Sequence, residues 1–377
     1  MTPAHSARTG TAELPLHNGR APAWLFQRMT RLAREIVIYV TSEFGRDDVL
    51  RRLSDPHWFQ AFGSVLGFDW HSSGVTTTVT GALKEGVRGL ESDLGLYVAG
   101  GKGATSRKTP AEIERACESL GRNPEPLVRA SKLSAKVDNS AVQSGHQLYH
   151  HAFVFTADGR WCVVQQGMSD EARTARRYHW LGEEAGSFVE EPHAAVCDDH
   201  RGVLVNFVAE ESREARAAVT DLAGSEPDVA RRAIDRATEL VMPRRHQLRL
   251  ADVNPHYLDR ILLRTYEHTP RDFEDLLGIS GVGPKTLRAL ALVAELVHGT
   301  RASTRDPARY AFAHGGKDGT PYPVDRQTYD RTIDVLHNAL NAARVDRSER
   351  VKAFRRLARL AGPQRGYAPP ARQPREE

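Results

Sequence analysis

A chain of 377 residues, 40% hydrophobic and 27% charged, can bury real cores and is long enough for two or three domains. No uninterrupted apolar run approaches the roughly 20 residues of a membrane span, and the start lacks a hydrophobic stretch behind a basic one, which argues against membrane insertion and export. The formal charge of +4 is modest. Three scattered cysteines, Cys117, Cys162 and Cys197, offer no Cys-x-x-Cys pair for a zinc ribbon or an iron–sulfur cluster; they read as reduced thiols of a cytoplasmic protein, Cys162 and Cys197 as core residues of strands.

Residues 1–7 show no apolar periodicity and predict no fold. Residues 24–40 predict an amphipathic helix with Leu25, Met29, Leu32, Ile36 and Tyr39 on one side, and a shorter helix follows from Asp47. The pattern then turns to β. Residues 75–83 and 94–99 are strand candidates, and 149–168 hold a hairpin centred on Asp158-Gly159. A two-residue turn there sets Phe155 opposite Cys162, Phe153 opposite Val164 and His151 opposite Gln166. Alternation then places His151, Phe153, Phe155, Cys162, Val164 and Gln166 on one face, and His150, Val154, Trp161, Val163 and Gln165 on the other. Residues 194–197 and 203–208 would extend the same sheet.

Ahead of that hairpin, Gly100-Gly101-Lys102-Gly103-Ala104-Thr105-Ser106-Arg107-Lys108-Thr109-Pro110 follows a strand and precedes a helix. Its glycine spacing is not that of a Walker A loop. Thr109 as cap, Pro110 at the first position and Glu112 at the third would open a helix, with Lys102, Arg107 and Lys108 supplying charge for an anion; a flexible basic loop is the alternative.

Residues 210–250 read as a helical, basic connector containing Arg231, Arg232, Arg236, Arg244, Arg245 and Arg249, and from Asn254 to about Leu360 only helices and loops are expected. A second basic run comprises Arg344, Arg347, Arg350, Lys352, Arg355, Arg356 and Arg359. Such helices suit a phosphate backbone, although local acids could balance them as solvated faces. Between the runs, Leu276-Leu277-Gly278-Ile279-Ser280-Gly281-Val282-Gly283-Pro284-Lys285-Thr286-Leu287 has the pattern of a helix-hairpin-helix. Thr269-Pro270-Arg271-Asp272 predicts a first helix over 270–277, ended by Gly278. Gly281 and Gly283 permit backbone angles closed to other residues, Pro284 suits a first helical turn, and Lys285 adds charge beside Thr286, so a phosphate could sit there. Leu287, Leu290, Ala291, Ala294 and Val297 form the stripe of a second helix ending near Gly299. An ordinary tight turn between helices is the alternative.

For chemistry, His151, Gln166, His179 and Arg177 form the candidate catalytic set: histidine relays protons near neutral pH and arginine stabilises charge developing on a phosphate. Regular alternation admits only one of His150 and His151 to a pocket, and structural histidines at a sheet end are the competing reading. No carboxylate pair suggests a two-metal site, and the metal ligands cannot be named. Downstream, Pro323-Val324-Asp325-Arg326-Gln327-Thr328-Tyr329 resembles the Val-Asp-Thr-His segment of helix-hairpin-helix DNA glycosylases. The insertion ahead of it is longer and no cysteine cluster follows, and Asp325 fits a plain N-cap with Thr328 three residues on.

Several stretches taken together, Arg8-Thr9-Gly10-Thr11-Ala12-Glu13-Leu14-Pro15-Leu16-His17, Gly100-Gly101-Lys102-Gly103, Tyr149-His150-His151-Ala152-Phe153, Val164-Gln165-Gln166-Gly167-Met168, Ala175-Arg176-Arg177-Tyr178-His179-Trp180 and Ala313-His314-Gly315-Gly316-Lys317-Asp318-Gly319, resemble the bacterial and archaeal family of domain of unknown function 763. The resemblance implies a cytosolic protein with a helix-hairpin-helix segment and a role in DNA processing, including nuclease activity. It supplies no agreed catalytic set.

The expected fold is α+β: a mixed N-terminal α+β catalytic domain over 8–210 with an antiparallel sheet, a basic helical connector over 211–250, an all-helical helix-hairpin-helix domain over 251–361, and a disordered tail over 362–377. The leading expectation is a DNA endonuclease acting on single-stranded or structured DNA, with a divalent metal ion admissible as cofactor, no iron–sulfur cluster, no membrane partner, and a homodimer compatible with the sequence. Structure preference over sequence preference follows, since the motif grips backbone and reads no base. The alternatives are a base-excision enzyme using Asp325 and a non-catalytic DNA-binding adaptor.

Overall fold

The apolar stripe of the first helix, α1 (Ala23–Phe44), turns inward: Met29, Leu32 and Ile36 are buried together with Ala33, Val37 and Val40, while Leu25 and Tyr39 at its ends are half-buried. The computed structural model describes residues 21–67, 74–169, 174–198, 204–229, 231–232, 255–309 and 326–361. After α1 come α2 (Arg46–Ser54) and α3 (Pro56–Leu66), the latter opened by Asp55, whose carboxylate accepts from His57 N at 2.8 Å, with Pro56 in its first turn.

Residues 75–83 are not a strand. They lie within α4 (Gly74–Val87), where Val75, Val79, Ala82, Leu83 and Gly86 share a buried stripe. The β-branched run misleads because burial against α1 and β1 outweighs a helix-propensity penalty of a few tenths of a kcal/mol per residue, and the Thr80 hydroxyl bonds back to the Thr76 carbonyl at 2.7 Å within the helix.

A short helix, α5 (Glu91–Leu94), leads into β1 (Leu96–Lys102), a 3-10 turn (Gly103–Lys108), α6 (Thr109–Ser119), α7 (Glu125–Lys136) and a π turn (Val137–Ala141). The strands β2 (Val142–Gln143), β3 (Gln147–Thr156), β4 (Trp161–Ser169), β5 (Thr174–Leu181), β6 (Ala195–Cys197) and β7 (Val205–Asn206) follow. β1 and four of these strands form one antiparallel sheet in the order β1-β3-β4-β5-β6. The expected extension through 203–208 does not occur: β7 pairs with β2 in a separate two-stranded ladder.

The β3–β4 turn corrects the expected register. Thr156 N donates to Arg160 O at 2.9 Å and Gly159 N to Thr156 O at 2.9 Å, so three residues, 157–159, form the loop, with Gly159 at φ +91° taking the left-handed position. Phe155 therefore pairs with Trp161, Phe153 with Val163, His151 with Gln165 and His150 with Gln166. One extra loop residue exchanges every predicted face partner on β4.

Each sheet face carries its own hydrophobic cluster. Val154, Cys162, Val164 and Leu181 pack with α1–α4 on one side; Phe153, Phe155, Val163, Tyr178 and Trp180 pack with α6, α7 and α8 (Arg213–Gly224) on the other. The C-terminal region is helical as expected: α9 (Pro255–His268), α10 (Phe273–Gly278), α11 (Pro284–His298), α12 (Arg326–Ala342) and α13 (Arg347–Ala361). Its helices divide between the layers. Leu276, Leu287 and Leu290 join the α6–α8 side, whereas Leu336, Leu340, Ala353 and Leu357 join the α1–α4 side. The segment after α11 crosses the end of the sheet, where buried Arg176 of β5 binds Asp198 at 2.6 Å and Asp306 at 2.8 Å. All three cysteines are buried and free, and burial pushes the Cys162 thiol up to about 12. Among the described residues no helix is long and apolar enough to cross a membrane.

Candidate functional site

The corrected register places His151 on the side of the sheet covered by α7. That helix buries Leu127, Val128, Ala130 and Leu133, and with them two hydroxyls, Ser131 and Ser134. His151 Nε2 lies 2.9 Å from Ser131 Oγ, and His151 Nδ1 lies 2.7 Å from Gln165 Oε1. The Gln165 amide nitrogen donates to Ser134 O at 3.0 Å and to the Asp138 carboxylate. Asp138 is wholly buried in the π turn that ends α7, and it also accepts from Trp180 Nε1 at 2.9 Å and His193 Nε2 at 2.5 Å.

These donors fix the direction of every bond. Both amide hydrogens of Gln165 are engaged, so its oxygen faces His151 and requires Nδ1 to carry the ring proton. Nε2 is then an acceptor, and Ser131 must donate to it. Burial lowers the His151 pKa, opposed by the Gln165 bond and the charge of Asp138, so the imidazole is neutral at pH 7. A neutral base holding a serine hydroxyl is the geometry of an activated nucleophile.

Ser131 and His151 line a cavity of about 250 Å³ together with Arg107, Thr109, Lys132 and Tyr149; His150 also borders it, so both histidines reach the pocket that regular alternation would open to one of them. A second cavity of about 660 Å³ shares Lys132, Ala135 and Leu148 with it and extends to Glu274, Asp275 and Gly278 of α10. The glycine loop forms the neighbouring wall. At Gly100, φ is +89° and a Cβ would stand 2.2 Å from His151 O, so only glycine allows β1 to lie this close to β3. Lys84 Nζ and Gly100 N both donate to Glu112, at 2.6 and 2.7 Å, which pins the loop.

The expected helix opening at Thr109 is corrected in detail. The 3-10 turn runs directly into α6, Thr109 Oγ1 donates back to Ser106 O at 2.7 Å, and Glu112 is engaged by Gly100, so neither acts as a cap. Lys102, Arg107 and Lys108 remain exposed, and Lys102 Nζ stands 5.8 Å from the centre of the Tyr149 ring.

Of the sequence-derived catalytic set, only His151 reaches the cavity. Gln166, Arg177 and His179 lie on the opposite face because the register is shifted and because β5 pairs Arg177 with Cys197 across from α3. Gln166 accepts from Thr76 and donates to the Tyr149 hydroxyl at 2.5 Å. Arg177 donates to His179 Nε2 at 2.9 Å and to Gln60 Oε1 at 3.2 Å, with its guanidinium 4.8 Å from the Phe59 ring centre. His179 in turn donates to Leu53 O at 2.8 Å, and burial, then the Arg177 charge, holds its pKa well below the usual histidine value. These three knit α2, α3 and α4 to the sheet. Ser131 and Asp138 escaped the sequence reading, and Gln165 was assigned to the face opposite His151; the available signal was a pair of serines interrupting the apolar stripe of α7.

In the hairpin region the first helix begins at Phe273, three residues later than expected. Thr269, at φ +45°, closes α9 instead, and Asp272 provides the cap, accepting from Asp275 N at 2.8 Å. Gly281 has φ +95° and a Cβ there would stand 2.6 Å from Ile261 Cδ1, so glycine is required. Gly283 does not need unusual angles: its φ of −144° is ordinary extended backbone, and no atom lies within 4 Å of a Cβ built there. Lys285 is exposed and Thr286 buried. The hairpin is tied to the sheet layer by Lys136, which donates to Val282 O, and by Gln143, which donates to Pro284 O at 3.0 Å.

The basic runs fare differently. Arg231 and Arg232 are exposed, while Arg236, Arg244, Arg245, Arg249 and Asp325 lie outside the described residues. In the second run Arg350 and Arg356 are engaged with the carbonyls of Ala343 and Val65, at 2.6 and 3.0 Å. That run sits with α3 on the layer away from the hairpin, so neighbours in sequence are not neighbours on one surface. Among the described residues no group of three or more His, Cys, Asp or Glu side chains is placed to hold a metal ion.

Fold and site define an α+β protein whose central antiparallel sheet is covered on both faces and carries a buried serine–histidine pair on one of them. A family model described as "Protein of unknown function (DUF763)" matches residues 10–324, and the chain belongs to that family. No curated protein and no solved structure matches it.

Proposed function

We propose that this protein is a cytoplasmic DNA-binding enzyme that cleaves the phosphodiester backbone of single-stranded or structured DNA. The observation that carries this reading is continuity: the cavity floored by His151 adjoins one that runs to the first helix of the helix-hairpin-helix, through the shared wall of Lys132, Ala135 and Leu148. Gly283 and the exposed Lys285, at the start of α11, would hold a backbone phosphate. Lys102, Arg107, Lys108 and Lys132 would attract the strand at the other end. His151 would move the proton that phosphodiester cleavage requires.

Binding and cleavage of labelled single-stranded, hairpin and duplex DNA, with and without a divalent metal ion, test this reading. Strand cleavage abolished by His151→Ala with binding retained is the expected result. Binding with no product on any substrate would replace it with a DNA-binding adaptor; base release lost in Asp325→Asn would replace it with a glycosylase.

A further inference from the structure

We infer that Ser131 is the catalytic nucleophile and carries a covalent phosphoseryl intermediate; this rests on the phosphodiester reading above. A serine or threonine inside a helix ordinarily returns its hydroxyl proton to a carbonyl one turn back. In this protein Ser54 does so to Leu50 O at 2.9 Å, Thr220 to Arg216 O at 2.9 Å and Thr30 to Phe26 O at 2.9 Å. Ser131, in the middle of α7, instead directs its hydroxyl at His151 Nε2. The route behind that nitrogen is oriented throughout, from Nδ1–H to Gln165 and from Gln165 to a carboxylate held by Trp180 and His193. Such an arrangement matches the three roles of an activated serine: a hydroxyl, a base within reach, and a group that orients the base. Ser131 and His151 both border the cavity, with Arg107 and Lys132 on its lining to oppose negative charge.

The chemistry balances with water alone. Ser131 Oγ bonds to phosphorus as its proton passes to His151 Nε2, and the bond from phosphorus to one sugar oxygen breaks. That oxygen leaves with the proton from Nε2. Water then attacks phosphorus, giving a proton to Nε2; the bond from phosphorus to Oγ breaks and Oγ takes that proton back. The products are a phosphomonoester and an alcohol, with Ser131 and His151 restored.

Two probes on the full chain test this. The first is a fluorophosphonate, which phosphonylates an activated serine with loss of fluoride and needs no DNA. The second is an oligonucleotide with bridging phosphorothiolate linkages, whose better thiol leaving group speeds formation of the adduct relative to its hydrolysis, so that the adduct accumulates and is captured by a rapid denaturing quench. Both adducts are expected on the peptide bearing Ser131, with His151→Ala slowing fluorophosphonate labelling at least 100-fold while circular dichroism is unchanged. Wild-type labelling keeps the test independent of whether Ser131→Ala folds. DNA cleavage with no trapped adduct and full activity in Ser131→Ala would overturn the nucleophile and leave the nuclease standing. Fluorophosphonate labelling of Ser131 without cleavage of any DNA would uphold the nucleophile and sink the phosphodiester reading. Absence of both labelling and cleavage would overturn both.

Discussion

His150 and His151 are consecutive on β3, each beside a glutamine of β4 and a hydroxyl from a helix, yet their protons run in opposite directions. On the α1–α4 side, Thr80 has already given its proton to Thr76 O, so His150 Nε2 must donate to Thr80 Oγ1 across 2.9 Å. On the α7 side, His151 Nε2 must accept from Ser131. The first hydroxyl cannot deliver a proton to its histidine; the second is held ready to do so. Residue type and burial are nearly the same on the two faces, so the distinction lies in what each partner's partner does.

The sharpest way to break this comparison is to remove each ring. His151→Ala should lower the cleavage rate by about 10²–10⁴-fold, the usual contribution of a positioned acid–base group. His150→Ala should leave the rate per folded molecule unchanged and instead cost about 1–3 kcal/mol in urea unfolding, the penalty of stranding a buried polar partner. Equal rate losses in the two variants would erase the distinction.

Acid should act next, mainly through His150. Burial, then the charges of His151 and Lys102, lowers the His150 pKa from 6.5 to about 3. Between those values the unfolded chain holds a proton that the folded protein lacks, so stability is full above pH 6.5 and falls as pH drops towards 3. The slope is about 1.4 kcal/mol per pH unit from this residue alone. His150→Gln, which keeps a donor for Thr80, should flatten the pH dependence of the urea midpoint; an unchanged slope would remove His150 from the account. The same direction of shift at His151 places the acid limb of kcat/KM below pH 6.5.

A smaller effect is expected at the glutamines. Gln165→Leu frees the His151 tautomer and should reduce kcat by less than His151→Ala does, whereas Gln166→Leu, on the α1–α4 face, should lower the unfolding midpoint more than kcat. The mildest change is at the hairpin. Gly283→Val with Lys285→Glu should weaken DNA binding and make its salt dependence shallower by about one unit of slope, as expected for one lost phosphate contact. The fold should survive, because Gly283 has ordinary angles and open space around it. Unchanged affinity would remove the hairpin as the grip.

Much of the architecture was legible in local pattern. The stripe of α1, the β3–β4 hairpin and the two helices around Gly281 follow from periodicity and turn residues. The failures were non-local or depended on a single residue. Asp158-Gly159 marks a turn, but only the bond from Thr156 to Arg160 reveals a third loop residue, and that residue decides whether His151 meets Gln165 or Gln166. The threonine-rich α4 shows its helical stripe only once α1 and β1 are there to cover it. Ser131 lies 20 residues from His151 and 7 from Asp138, and no spacing rule connects a mid-helix serine, a strand histidine and a π turn before the topology is known.

One helix serves both ends of the proposed enzyme. Ser131 and Lys136 stand on α7, five residues apart, and Lys136 holds the carbonyl of Val282 in the hairpin. At 1.5 Å of rise and 3.6 residues per turn they stand about 7.5 Å apart along the axis and roughly 140° apart around it, so one face of the helix meets the sheet histidine and another meets the hairpin. α7 is therefore a fixed spacer between the two. An enzyme so built would cut at a constant offset from the phosphate it holds, and end-mapped products would form a single ladder position relative to the bound site; lengthening α7 by a turn would move that position.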